Sequence, residues 1–496
     1  MNWNKCWTAG CVAAASGLLL VSCAPKGSGG EAGKEEAPLS DVTDAQAHSD
    51  ARIKAIRRTN EAVAANEVQA GPARESLKRV AWSRSTYWKV RAAAIEELLE
   101  DGANEADTRN MLRLMLPTES QSQIVDLVCE KAAAGRWTEA APALVRRWSK
   151  PDSRVADEKR PERAALAAIY PDVPVEQTVF RVFSGENQAP SAPDSASAER
   201  TRDDAWALLR RIDTSGRTRD LLVASSAGAD PVIGTLQRAA RDFKAVPETA
   251  EQLAWVRRLG EPENAGFWAR VTDAVAKLSE EQAKGLAIRH GAIVAWAGEN
   301  RSEWLSMSRE QLLREVEGRL KDRPRHWRNA AGTSGSKGEG LHRWRDSLAW
   351  GDALTILVAD EAMKGEGVAA ELFTHAKADQ SDTSTEYGGN IVFDSVRFAA
   401  PCFPPRATQR YDDRRFVPSE DMLKAGDTAL FHYHFHATAW NNSDYAGPSQ
   451  GDIDAAKSLG RASLLFTAID ERTLGVDYYQ ADGATIDLGV LKGAAK

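Results

Sequence analysis

Three histidines alternate with aromatic residues along one short segment, which runs Phe-His-Tyr-His-Phe-His and ends at position 436. The residues leading into it, 428–431, predict a strand, and side chains two positions apart on a strand share one face. His432, His434 and His436 therefore lie on one side, where two or three imidazoles favour binding of a divalent metal. The alternative is a strand with alternating polar and aromatic residues and no ligand role. Each buried imidazole would then need another partner, which favours the metal.

A Ser-x-x-Asp motif follows at Ser449 and Asp452. This spacing predicts a capping box at the start of a helix. A carboxylate in the first turn of a helix lies at the N-terminal end, so Asp452 can both cap the helix and bind a metal.

A glutamate opens the strand that is predicted upstream, over 390–398. Glu386 is followed by Gly388 and Gly389, and glycines in a strand allow another backbone or side chain to approach closely. The alternative is an ordinary turn between a helix and a strand, in which Glu386 has no function.

In this order, the three motifs resemble those of the JAB/MPN metallopeptidase family, also called JAMM. The family pattern is a Glu after the first helix, His-x-His at a strand end, and Ser-x-x-Asp at the start of a helix. By this resemblance Glu386 is the general acid and base, and Ser449 helps to hold the tetrahedral intermediate. The resemblance assigns the metal ligands to His434, His436 and Asp452. It covers about residues 346–496.

The resemblance implies a Zn²⁺ cofactor and metal-assisted hydrolysis of a peptide or isopeptide bond. Two imidazoles and one carboxylate leave the fourth zinc position for water, as catalytic zinc sites require. Glu386 would take the proton of this water and pass it to the leaving amine. The expected partner is a protein or peptide substrate.

The segment between the histidines and the Ser-x-x-Asp motif departs from the family pattern. Ala437 stands where the family often has proline, and the interval from His436 to Ser449 is longer than in the family motif. His432 and His434 also form a His-x-His pair, which makes His432 an alternative ligand. We prefer His434 with His436 because they lie nearest to the loop that leads to Asp452.

The N-terminus predicts a lipoprotein signal peptide over residues 1–22. Lys5 supplies the positive charge, and an apolar stretch ends in Leu-Val-Ser before Cys23, which resembles the bacterial lipobox. The alternative is an ordinary signal peptide with an incidental cysteine. The lipobox predicts lipidation of Cys23 and an anchor in a membrane. Ala24, rather than Asp, follows the cysteine, which predicts a location in the cell envelope, at the outer membrane facing the periplasm.

Composition predicts how the rest of the chain is organised. A disordered tether is expected over 23–50, because Gly, Ala, Ser, Glu and Lys dominate there. The expected fold class is multidomain, with all-α N-terminal and middle regions followed by an α+β, JAB/MPN-like domain. The predicted parts are a helical, HEAT-like region (51–183), a linker (184–203), a second helical region (204–328), a second linker (329–341) and the JAB/MPN-like domain (342–496).

The HEAT-like prediction rests on two apolar helical segments, 87–99 and 124–132, which lie about one repeat length apart. An irregular helical bundle is the alternative.

Cys129 and Cys402 are the cysteines left outside the signal and the lipidation site, and we expect two separate thiols rather than a disulfide.

Composition also excludes some classes of function. The chain has 496 residues, and 64 Lys and Arg against 71 Asp and Glu give a net charge of −7. This excludes a generally basic nucleic-acid binder. The lipobox and the resemblance to the JAB/MPN family together imply a lipid-anchored envelope protein with a zinc-dependent (iso)peptidase domain presented by a helical scaffold. The alternatives are a non-catalytic JAB-like module for protein interaction or metal binding, and a scaffold lipoprotein without a site.

Overall fold

A computed structural model describes most of the chain after the predicted signal and tether. The described residues are 37–186, 195–213, 216–225, 230–325, 340–410, 416–442 and 445–493. Cys23 and the predicted lipobox lie outside them. The chain divides into two compact units, Met1–Leu112 and Arg113–Lys496. Among the described residues, none of the helices is both long enough and apolar enough to span a bilayer.

The described part of the first unit is helical. Its apolar core includes Ile56, Leu77 and Ile95, each almost completely buried. The helices are α1 (Ala37–Thr43), α2 (Ser49–Arg57), α3 (Thr59–Ala64), α4 (Ala70–Trp82), α5 (Trp88–Glu100) and α6 (Glu105–Met115), the last of which continues into the second unit.

Helix α1 corrects the predicted extent of the disordered tether. Composition placed residues 37–50 in the tether, but Val42 is 1% exposed and α1 packs against α2 and α4. The Arg52 guanidinium on α2 donates to the Val42 carbonyl oxygen, 3.3 Å from both Nε and Nη2. The buried Val42 side chain and the hydrogen bonds to its carbonyl attach α1 to α2, and an average over the whole polar segment hides both.

Helices also dominate the first two thirds of the second unit. Helix α11 begins inside the segment that composition assigned to a linker, because Thr201, Ala205 and Trp206 bury one side of it. These helices are α7 (Ser122–Ala134), α8 (Ala141–Trp148), α9 (Pro161–Ile169), α10 (Val175–Ser184), α11 (Ser195–Ile212), α12 (Arg217–Ala224), α13 (Pro231–Asp242), α14 (Ala250–Leu259), α15 (Ala265–Val275), α16 (Glu280–Lys284), α17 (Gly291–Asn300) and α18 (Arg309–Leu320).

The C-terminal region combines helices with one mixed six-stranded sheet, in agreement with the expected α+β layout. The strand order is β2-β1-β3-β4-β5-β6, and only the β3–β4 pair is parallel. The elements are α19 (Leu341–Trp344), α20 (Trp350–Met363), α21 (Val368–Gln380), β1 (Gly388–Phe393), β2 (Phe398–Ala399), α22 (Glu420–Ala425), β3 (Phe431–His436), α23 (Gln450–Leu459), β4 (Ser463–Asp470), β5 (Thr473–Tyr479) and β6 (Thr485–Lys492).

The β3–α23–β4 connection positions the predicted metal-binding motifs. Parallel strands need a crossover, and α23 supplies it here. The carboxyl end of β3, where His436 lies, is therefore followed by the N-terminus of α23, where Asp452 lies. In sheets with parallel strands, ligand sites occur at this end.

The predicted thiols are both free: Cys129 is buried and Cys402 is half-buried.

Candidate metal centre

Glu386, His434 and His436 form one group of side chains that could hold a metal ion. One ligand atom from each lies within 4.8 Å of the others. Glu386 and His434 are buried, and His436 is largely so, with a side chain 13% exposed. The structure thus brings together residues that are far apart in the sequence and that the motifs had singled out.

The register of two antiparallel strands places Glu386 opposite His436. Strands β1 and β3 are antiparallel, and Gly388 lies opposite His434. The pairing continues beyond β1, since the Phe435 amide donates to the Tyr387 carbonyl at 3.0 Å. One step further, Glu386 lies opposite His436, with Glu386 Oε1 4.0 Å from His436 Nε2.

Gly388 leaves space for an aromatic ring that packs on His434. The Phe416 ring stacks on the His434 imidazole with centroids 5.4 Å apart and planes inclined by 7°. A Cβ at Gly388 would lie 2.5 Å from both Phe416 Cζ and the Tyr433 carbonyl oxygen. The prediction that these glycines allow close approach is confirmed.

Asp452 lies between the two imidazoles. Its Oδ1 is 3.2 Å from His434 Nε2, and its Oδ2 is 3.6 Å from His436 Nε2. The predicted capping box is also present: the Ser449 amide donates to Asp452 Oδ2 at 2.7 Å, and the Asp452 amide donates to Ser449 Oγ at 3.3 Å. The carboxylate that caps α23 is thus the one that faces the histidines.

Electrostatics in the group favour a charged carboxylate beside protonated imidazole in the metal-free chain. Burial raises the pKa of Asp452, but attraction to His434 and His436 outweighs it and holds that pKa well below its usual range. Burial lowers the pKa of His436, but its bond to Asp452 and the negative charge of Glu386 raise it to about 9.

Both imidazoles bind a protein oxygen through Nδ1 and leave Nε2 on the side of Asp452. His436 Nδ1 lies 2.9 Å from the Tyr445 carbonyl oxygen, which only accepts, so Nδ1 carries a proton. His434 Nδ1 lies 3.4 Å from the Tyr479 hydroxyl. In metal sites the nitrogen that does not bind the metal is held by such a partner, which fixes the tautomer and the ring orientation.

The donor set fits a tetrahedral divalent metal. Within the described chain, His434 Nε2 is buried and makes no hydrogen bond, which is costly unless something else binds it. Ligand atoms about 2.0–2.1 Å from a tetrahedral zinc are about 3.3 Å from each other. Asp452 Oδ1 lies 3.2 Å from His434 Nε2 and Asp452 Oδ2 lies 3.6 Å from His436 Nε2, so each imidazole has a different carboxylate oxygen near this distance. Two imidazoles with carboxylates suit several first-row divalent metals, zinc among them.

His432 lies apart from this group, although it shares a strand face with His434. A Cβ on Gly426 would lie 2.4 Å from His432 Nε2, so this nitrogen abuts the backbone at the end of α22. Burial, and then the positive charge of Arg461, hold the pKa of His432 well below its usual range. Among the described residues, the group that could hold a metal comprises Glu386, His434 and His436, and includes neither His432 nor Asp452.

The centre also contains Ser449, from the Ser-x-x-Asp motif, and three residues that belong to no motif. Ser449 is exposed, and its hydroxyl oxygen accepts from Asp452 while its own proton can be donated elsewhere. Phe416, in a loop, and Tyr479, on strand β5, contact the His434 imidazole. The Tyr445 backbone, in another loop, contacts the His436 imidazole. Only the pairing of strands and loops brings them there, and no local sequence signal marks them.

No known protein family, no curated protein and no solved structure matches this chain.

Proposed function

We propose that the C-terminal region is a zinc-dependent hydrolase of peptide or isopeptide bonds with a JAB/MPN-like fold. The zinc ligands are His434, His436 and Asp452, and Glu386 carries the proton. The observation that supports this most directly is the buried His434 Nε2, which makes no hydrogen bond among the described residues and lies 3.2 Å from Asp452 Oδ1. A buried imidazole nitrogen that faces a carboxylate without a hydrogen bond is an arrangement that a metal ion completes.

The order of the motifs supports the same proposal. Glu386 precedes β1, the two histidines end β3, and Ser449 and Asp452 begin α23. Three segments far apart in the sequence thus meet at the carboxyl end of a parallel strand. Both imidazoles are held through Nδ1, as the second nitrogen of a metal-binding histidine is.

Each residue then has a stated part in the chemistry. A divalent metal bound here would supply Lewis-acid chemistry, which activates water and polarises the scissile carbonyl. Glu386 accepts a proton from the attacking water on a carboxylate oxygen and donates it to the leaving nitrogen. A positioned acid–base group of this kind contributes about 10²–10⁴-fold to the rate. The Ser449 hydroxyl donates to the oxyanion as it forms.

The rest of the chain has a supporting role in this proposal. The helices upstream form a scaffold, HEAT-like in its repeats, that presents a protein or peptide substrate. A lipid on Cys23 anchors the chain in the cell envelope, at the outer membrane on the periplasmic side. These parts of the proposal rest on the sequence patterns alone.

The second candidate is a non-catalytic module that binds a metal or a protein partner. It is favoured by the pairing of Asp452 with both imidazoles, at 3.2 and 3.6 Å, which balances charge in the absence of an ion. Such a cluster can stabilise a fold without performing chemistry.

Metal content and hydrolysis separate these candidates. The full chain is purified without chelator, its zinc is measured by elemental analysis, and it is assayed on a peptide and isopeptide library. One zinc per chain with hydrolysis that His434→Ala abolishes supports the hydrolase. One zinc per chain without hydrolysis supports the binding module. A chain that binds no zinc from a zinc-buffered solution contradicts the metal centre itself.

A further inference from the structure

The loop between β3 and α23 contains one buried amide side chain, Asn442. It is 5% exposed, although its neighbours Asn441 and Tyr445 are exposed. Its Nδ2 donates to the His436 carbonyl oxygen at 3.0 Å, and its backbone amide donates to the Ala468 carbonyl oxygen on β4 at 2.8 Å. Asn442 therefore binds the end of β3 and the neighbouring strand at once.

The same residue holds the backbone that orients the His436 ring. The Asn442 carbonyl oxygen accepts from the Tyr445 amide at 2.8 Å, and the Tyr445 carbonyl oxygen accepts from His436 Nδ1 at 2.9 Å. The hydrogen bonds thus form a closed series, from the His436 backbone through Asn442 and Tyr445 to the His436 imidazole.

Packing of the Tyr445 side chain contributes little to this arrangement. That side chain is 57% exposed, so the position of the Tyr445 carbonyl depends on backbone contacts. Among the backbone contacts that the structure describes, the hydrogen bond from the Tyr445 amide to the Asn442 carbonyl oxygen connects Tyr445 to the buried sheet. A displaced carbonyl would release His436 Nδ1.

The tautomer of His436 matters because a neutral imidazole carries its single proton on either nitrogen. Only the form protonated on Nδ1 leaves the Nε2 lone pair for a metal on the side of Asp452 and Glu386. A carbonyl acceptor at Nδ1 selects that form.

We propose that Asn442 is a positioning residue for the metal centre, which holds the Tyr445 carbonyl against His436 Nδ1 and so directs His436 Nε2 at the metal. The inference rests on the proposed zinc site. It gives a physical role to the long segment between the two motifs, since that segment supplies both the amide and the carbonyl.

The test is Asn442→Leu in the full chain, because leucine has a similar size and no donor. Zinc affinity, measured by competition with a chromophoric chelator, is expected to fall by about 10–100-fold, as for other residues that orient ligands. Cobalt-substituted protein should show a changed visible spectrum. The matched control is Asn441→Leu, the same change at the exposed neighbour, which should bind zinc like the unaltered chain.

A second measurement separates positioning from general stability and from the proposed function. The ¹⁵N shifts of the histidine side chains report the tautomer of neutral His436 in the metal-free chain, when the pH is raised until these shifts no longer change. The unaltered chain and Asn441→Leu should show the Nδ1-protonated form, and Asn442→Leu should lose this preference. A His436 protonated on Nε2 in the unaltered chain would overturn the inference, as would an Asn442→Leu chain with the same tautomer and the same affinity. If the chain binds no zinc but the tautomer changes as expected, the proposed function fails while the positioning by Asn442 stands.

Discussion

Ser449 and Asp452 hydrogen-bond each other reciprocally across the first turn of α23, while Asp452 also faces His434. The Ser449 amide holds Asp452 Oδ2 at 2.7 Å, and the other oxygen, Oδ1, lies 3.2 Å from His434 Nε2. One carboxylate thus caps a helix and completes the polar cluster. The capping contact restricts the rotation of the carboxylate, so the local motif positions the proposed metal ligand.

The two roles of Asp452 can be separated by substitution. Asp452→Asn keeps an oxygen that accepts from the Ser449 amide, but it loses the negative charge that a metal and His436 require. We expect zinc binding to be lost, while the helix cap persists. Asp452→Ala also loses the hydrogen bond from the Ser449 amide, so its unfolding free energy should fall by about a further 0.5–1.5 kcal/mol, the usual net worth of one hydrogen bond. Elemental analysis and thermal unfolding measure the two effects, and full zinc retention by Asp452→Asn would exclude Asp452 as a ligand.

The three histidines on β3 should differ in their contribution to metal binding. His434→Ala and His436→Ala remove members of the group around Asp452, so both should lose zinc. His432→Ala removes an imidazole that abuts Gly426 and lies beside Arg461, so the folded protein should keep its zinc. Zinc content per folded chain is the measurement. Loss with His432→Ala together with retention by His436→Ala would transfer the site to the other His-x-His pair.

Gly388 is expected to tolerate no side chain. A Cβ there would lie 2.5 Å from the Tyr433 carbonyl oxygen and from the Phe416 ring, and the backbone oxygen cannot move away easily. Gly388→Ala should destabilise the chain by about 1–3 kcal/mol, the usual cost of overpacking, and displace Phe416 from His434. Gly318→Ala is the control, since nothing lies within 4 Å of its Cβ and helix α18 should gain about 0.5–1 kcal/mol. Denaturant unfolding compares them, and equal stabilities would contradict the close approach.

The lipoprotein prediction is tested at Cys23. Cys23→Ser removes the thiol that receives the lipid, so the variant should lose metabolic labelling by fatty acid and should leave the membrane fraction. The matched control is Cys129→Ser, which changes a buried thiol in helix α7 that no lipid should modify. Membrane partitioning of Cys23→Ser equal to that of the unaltered chain would contradict the anchor.

Local patterns in the sequence predicted those parts of the centre that depend on neighbouring residues. The alternation of His434 and His436 follows from the period of a strand, and the Ser449–Asp452 contact follows from the geometry of a helix start. The exclusion of His432 did not follow from periodicity, because it depends on Gly426, which approaches from the end of α22.

Residues that depend on long-range pairing were beyond the sequence patterns. Tyr479 contacts His434 because β5 lies two strands away from β3 in the sheet, and Asn442 acts through Ala468 on β4. Their types carry no signal, since tyrosine and asparagine are ordinary in strands and loops respectively. The helix α1 was missed for a different reason: one buried Val42 does not change the composition of a polar segment.

Glu386 decides between enzyme and binding module. The strand register places its carboxylate opposite His436, 4.0 Å from Nε2, where it can serve either as a proton carrier or as a further ligand. Glu386→Gln keeps the size and shape of the side chain but cannot accept the proton of the attacking water. Zinc content and thermal stability should therefore stay near those of the unaltered chain, while hydrolysis falls by about 10²–10⁴-fold.

The matched control for this substitution is Glu471→Gln, an exposed glutamate at the turn between β4 and β5 of the same sheet, which should change neither zinc content nor rate. If Glu386→Gln loses its zinc, Glu386 is a ligand and the proposed division of roles is wrong. If the unaltered chain and the variant both bind zinc and neither hydrolyses any member of the library, the binding module is the better account. A rate that falls with zinc intact is the one outcome that a structural carboxylate cannot produce, because such a carboxylate acts only through stability or metal content.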